Sequence, residues 1–164
     1  MKPLHYTRWF LIAFLLLAGT ISCTPIDLFE KTAVIPGHSW KSSFRPSFTF
    51  TIKDTSAPYQ LYFIIRHSDR YRYNNIYFNL YAKGPGQDTA QVATYDIRLA
   101  TNEKGWLGSG MDDIFEHRQL LTPRSADKAF YFKKPGDYTF TIEQIMREDP
   151  LEQVLNTGIR IEKK

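Results

Sequence analysis

One cysteine in 164 residues rules out an internal disulfide framework and any zinc site built on two or more thiolates. Basic runs are missing too. Lys133-Lys134 and Lys163-Lys164 are isolated pairs, so nucleic-acid binding has no electrostatic footing. No apolar stretch reaches the roughly 20 residues that a bilayer-spanning helix takes. There is no internal repeat, no low-complexity tract and no sign of a second domain. What is present is 43% apolar and 15% aromatic sequence, enough for one domain of ordinary size to fold without covalent staples.

Residues 1–22, MKPLHYTRWFLIAFLLLAGTIS, read as a leader: Lys2 and Arg8 give a positive start, and residues 9–19 form an uncharged apolar run of signal length. The only cysteine, Cys23, follows the small residue Ser22. This resembles a bacterial lipoprotein signal, cut before the cysteine, whose thiol is then acylated, palmitate being one such chain. Thr20 stands where Leu is usual, as in the looser signals of some bacterial groups. An ordinary cleaved signal with an incidental cysteine and an uncleaved anchor are the rival readings. Cleavage would remove Lys2 and Arg8 but no acid, lowering the net charge from +4 to +2. Anchoring needs no positive charge, because each buried methylene contributes about 0.8 kcal/mol and two or more acyl chains hold stably in a bilayer.

The mature chain divides into residues 23–46, an acylated tether ending in a first edge segment near Val34 and Ile35, and a β-domain over residues 47–164. Trp40 and Phe44 are expected to cover one end of its core. In Ser47–Ile52, Phe48, Phe50 and Ile52 alternate with Thr49 and Thr51, the pattern of a half-buried strand. Residues 59–67 are apolar on both faces at their middle, as in a central strand. Further strands are expected over residues 76–82, 89–100, 113–121, 128–133, 137–142 and 158–162. Lys83-Gly84-Pro85-Gly86 and Lys134-Pro135-Gly136 supply turns, the second fitting type II. Asp149-Pro150-Leu151-Glu152 carries capping signals, and Leu151, Val154 and Leu155 share a helical face, so one short helix is expected there. About eight closely spaced strands imply an all-β fold, an antiparallel β-sandwich of jelly-roll or immunoglobulin-like type.

Tests for chemistry find little. His38, His67 and His117 remain after the leader, and none has a partner at i+2 or i+4 that would build a metal site on one strand face or helical turn. Residues 105–113, Gly-Trp-Leu-Gly-Ser-Gly-Met-Asp-Asp, lack the Lys of a P-loop and the first Gly of a nucleophile elbow. They read as a structured loop with Trp106 buried, or as a partner-binding loop. Asp112, Asp113 and Glu116 do not match a calcium loop. After the central strand, Arg66, Arg70 and Arg72 interleave with Tyr71 and Tyr73, a composition found at binding hot spots and in hairpins whose tyrosines cap a core. No catalytic residue, metal or cofactor is called for.

Three stretches carry a family resemblance. They are Pro58-Tyr59-Gln60-Leu61-Tyr62 with Arg66-His67 and Tyr71-x-Tyr73-x-Asn75-Ile76; Gly105-Trp106-Leu107-Gly108-x-Gly110-x-x-Asp113; and Tyr138-x-Phe140-x-Ile142-x-Gln144-x-Met146-Arg147. With the leader, they resemble the GldH family, gliding motility lipoproteins of Bacteroidota. The resemblance implies a non-catalytic lipoprotein of the cell envelope, at the outer membrane, associated with machinery that moves or secretes surface adhesins. Its expected partners are the membrane, through Cys23, and envelope proteins docking on Arg66, Tyr71, Tyr73, Trp106 and Asp113. A lipid-anchored carbohydrate-binding sandwich is the alternative.

Overall fold

Residues 28–121 and 132–164 are described by the structure, a computed structural model. The leader, Cys23 and most of the arm expected over residues 128–133 lie outside them. In chain order the strands are β1 (Leu28–Val34), β2 (Ser39–Trp40), β3 (Ser47–Ile52), β4 (Tyr59–Ser68), β5 (Asn75–Lys83), β6 (Gln91–Arg98) and β7 (Ala100–Thr101). They continue as β8 (Gly105–Trp106), β9 (Ser109–Met111), β10 (Ile114–Leu120), β11 (Gly136–Gln144), β12 (Leu151–Glu152) and β13 (Val154–Lys163). One sheet has the order β1-β13-β4-β10-β9, the other β3-β11-β5-β6, and every pairing is antiparallel.

The alternation seen in sequence decides what faces inward. Phe48, Phe50 and Ile52 of β3 are buried while Ser47, Thr49 and Thr51 are exposed. Phe63 of β4 stacks on Phe78 of β5 with ring centroids 4.1 Å apart, and Phe29 of β1 meets Phe50 of β3 at 5.3 Å, so the sheets close face to face as a sandwich. Trp40 is fully buried and its indole N–H donates to the Phe44 carbonyl, so the pair covers one end of the core as expected.

Each sheet treats its solvent face differently. On the five-stranded sheet, Arg66 pairs with Glu116, Arg118 with Glu116 and Glu30, and Arg160 with Glu30 and Glu162. This chain of charges covers Ile64, which is only 1% exposed although it sits outside the main core. Gly158, opposite Ile64, leaves no room for a side chain, since a Cβ there would lie 2.3 Å from the Lys31 carbonyl oxygen. The four-stranded sheet instead carries a hydroxyl ladder, Ser47 with Thr141 and Thr49 with Thr139, ending in Thr51 and Asp137.

Two expectations change. The first edge strand begins at Leu28, not near Val34, and pairs with β13 along its whole length; Glu30 and Lys31 hide the alternation of Phe29 and Ala33. The short helix after Asp149 is not formed. Leu151 pairs with Trp40, and Val154 opens β13. Between them Gln153 takes φ +69, and the register shifts again between Val154 and Asn156. A kinked strand thus buries Leu151 and Val154 together, which mimics helical spacing. The Asp149 carboxylate meanwhile accepts from the backbone N–H and hydroxyl of Ser42 rather than capping a helix.

Candidate functional site

The end of the sandwich opposite Leu28 collects the loops singled out in sequence. On β4, the inward series Phe63, Ile65 and His67 brings His67 to the mouth of the core. On neighbouring β10, His117 is carried inward by the same period, and Phe115 pairs directly with His67. The two imidazoles meet with 2.9 Å between their Nε2 atoms. His67 Nδ1–H donates to the Ser68 carbonyl at 2.8 Å, so a neutral His67 offers Nε2 as acceptor and His117 Nε2–H is the donor. Burial lowers both affinities for protons. His117 falls to about 4, from burial first and the neighbouring His67 second, while the Ser68 carbonyl partly offsets the effect at His67. At neutral pH the pair is an uncharged hydrogen bond between two strands.

Aromatic rings enclose it. Trp106 lies 4.4 Å from His67, Tyr71 4.9 Å and Phe115 6.0 Å, measured between ring centroids. The glycines near Trp106 allow this. A Cβ on Gly108 would come 2.4 Å from the Glu116 carbonyl oxygen and 2.9 Å from the His117 ring, and one on Gly110 would come 2.6 Å from Phe115. The unusual sequence at residues 105–113 is therefore explained by close packing: β8 pairs with β7, β9 pairs with β10 as the sheet edge, and the glycines let the segment between them hold Trp106 against the imidazoles.

The residues expected to form a docking surface separate into two groups. Tyr71 is 4% exposed and its hydroxyl donates to the Asn75 carbonyl, so it supports the loop from inside and offers no contact surface. Trp106 is partly buried against His67, and Tyr73 is half-buried, its hydroxyl donating to Glu148. Arg66 and Asp113 reach the surface, where both line an open cleft of about 570 Å³ on the outer face of the five-stranded sheet. Arg66 is engaged by Glu116 there, and the Asp113 carbonyl accepts from the Asp69 N–H at 2.7 Å. Met111 and Ile114, paired across the β9–β10 turn, supply the apolar wall; Met111 is 80% exposed. Sequence reading passed over both. Their exposure shows only once β9 is known to be an edge strand.

The arrangement bears on chemistry as well. No three His, Cys, Asp or Glu side chains are grouped to hold a metal among the described residues, and the two imidazoles are already bonded to each other. Trp40 is fully buried, and Trp106 is partly buried with its ring against His67. The loop end is an aromatic mount around a neutral histidine pair, and it carries an amphipathic cleft.

The described residues thus define a small antiparallel β-sandwich with a braced cleft on one sheet face. Its sequence places it further. Residues 27–161 match the family model for the GldH lipoprotein, and the chain belongs to that family. It is 30% identical over 150 residues to the gliding motility lipoprotein GldH homolog of Christiangramia forsetii, covering 87% of each chain. It is 26% identical over 163 residues to the gliding motility lipoprotein GldH of Flavobacterium johnsoniae, covering 92% of this chain and 94% of that one.

Proposed function

We propose that this protein is a lipid-anchored, non-catalytic interaction subunit of the cell envelope, acylated on Cys23 and held at the outer membrane. Its cleft docks another protein of the machinery for gliding or adhesin secretion, the names of its relatives supporting the gliding part. The observation that carries this reading is the cleft itself. Exposed Met111 and Ile114 sit beside Arg66 and Asp113, on a strand pair braced from within by Trp106, Phe115 and the histidines. A rigid backing lowers the ordering cost of binding, and an apolar centre ringed by charge is the usual anatomy of a protein interface.

The test is capture of the native protein from solubilised membranes, compared with a Met111→Asp/Ile114→Asp variant. Both side chains are exposed, so the variant keeps its fold, and loss of the co-purifying envelope proteins is expected. Retention of every partner would overturn the assignment of the cleft. Intact-mass analysis checks the anchor separately: a mature chain starting at Cys23 should carry the added mass of its acyl chains.

A further inference from the structure

If Cys23 bears the acyl chains, the path from membrane to fold is short. Five peptide steps separate it from Leu28, a reach of at most about 18 Å. Leu28 pairs with Glu162, so β1 starts beside the last residues of β13. The same end holds the connection from β3 to β4, the tip of β5 and the approach to β11, since Lys164 N–H donates to the Pro58 carbonyl and Phe132 packs on Tyr59. Whatever leaves Leu28 toward a bilayer brings this end close to it.

The charge at that end is unlike the rest of the surface. Six of the nine lysines among the described residues are there: Lys53, Lys83, Lys133, Lys134, Lys163 and Lys164, all exposed. The loops that hold them are stapled. Tyr59 hydroxyl donates to the Asp54 carbonyl, Lys163 bridges to Asp54 at 3.0 Å, and Tyr138 hydroxyl donates to the Lys134 carbonyl at 2.8 Å. Among the described residues, the acids nearby are Asp54, engaged by Ser56 and Lys163, Asp137 by Thr51, Glu162 by Arg160, and the exposed Asp88 on the turn after β5, a single carboxylate against six lysines. Arginines elsewhere lie along the sheet faces paired with glutamates. At the opposite end Arg70, Arg72 and Arg147 are mixed with Asp69, Asp112, Asp113, Glu148 and Asp149.

We infer that the lysine-bearing end is a membrane-facing surface that takes the anionic headgroups of the bilayer in which the acyl chains sit. The inference rests on the Cys23 anchor and adds an orientation to it: lysines against the headgroups, cleft directed away. Ammonium groups suit this role, because each is a compact point charge on a flexible stem and needs no fixed geometry from the phosphate it meets.

The experiment uses the full processed lipoprotein on two kinds of vesicle, phosphatidylcholine alone and phosphatidylcholine with about one-third phosphatidylglycerol, with an amine-reactive label read at each lysine by mass spectrometry. Lys53, Lys83, Lys133, Lys134 and Lys164 should label about fivefold or more slowly on the anionic vesicles, and high salt should remove the difference. Lys41 and Lys104 should label equally on both. A Lys53→Gln/Lys133→Gln/Lys134→Gln/Lys164→Gln variant should lose the protection remaining at Lys83. Flotation with pure phosphatidylcholine reads the anchor alone, and protein that fails to float overturns the anchor together with the orientation. Protein that floats with both vesicles while its lysines label at equal rates overturns the lysine surface and leaves the anchor standing. An acidic protein as the true occupant gives that same equality, because its docking would not follow lipid composition.

Discussion

At the Leu28 end, Phe29, Phe50, Phe132, Tyr138 and Phe140 fill the space between the sheets, Phe50 lying within 6 Å of each of the other four ring centroids. At the loop end, Trp106, Tyr71 and Phe115 surround two imidazoles that hydrogen-bond to each other. Both ends exclude water with aromatic surface, but only one contains imidazoles, which acid can protonate. A carbon plug is indifferent to pH and tolerates any surface around it. A plug built on histidine ties two strands in register through a directed bond and stays intact only while both rings remain neutral.

Deleting the centre of each plug should give the largest effects. Phe50→Ala removes a side chain that is 5% exposed and should cost about 4 kcal/mol in urea unfolding. Trp106→Ala leaves a partly exposed gap and should cost about 3 kcal/mol, with added mobility confined to residues 105–113 in amide exchange.

Acid separates the two ends more sharply. With folded-state affinities below the ordinary 6.5, the unfolded chain binds more protons than the native one between about pH 4 and 6.5. Stability contributed by the neutral pair is therefore complete above pH 6.5 and falls as the pH drops toward 4. His117 alone accounts for up to about 3 kcal/mol over that window. A His67→Phe/His117→Leu variant should flatten the slope, measured as denaturation midpoint against pH, whereas Phe50→Ala should leave the slope unchanged.

A smaller effect is expected from Gly108→Ala, which forces a methyl group against the Glu116 carbonyl and the His117 ring and should cost about 2 kcal/mol. Smallest of all is Lys133→Gln/Lys134→Gln at the other end, which should shift stability by less than about 0.5 kcal/mol because both side chains are exposed.

The strands were legible because their alternation is local. Ser47–Ile52 could be assigned from six letters, and the structure buries the residues that the pattern selects. The loop end was harder to read. His67 and His117 are 50 residues apart and meet only through the pairing of β4 with β10. Each nonetheless continues an apolar alternation, Phe63-Ile65-His67 and Phe115-His117, which was the available signal. Tyr71 and Arg66 look alike in composition as binding residues, but burial separates them, and burial depends on how the hairpin folds back. The helix expected after Asp149 failed for a related reason. Spacing of three between Leu151 and Val154 fits a helix, and it equally fits a strand with one residue at positive φ.

Strand β1 runs antiparallel to β13 through seven residue pairs, and its first residue is the one nearest Cys23. Tension between a bilayer at that end and a cargo gripped at the far cleft would act along the strand axis, across hydrogen bonds perpendicular to it. All seven pairs would then share the load at once in shear, whereas a strand entering from the other end would peel away one pair at a time. The geometry is that of a tow-line fixing.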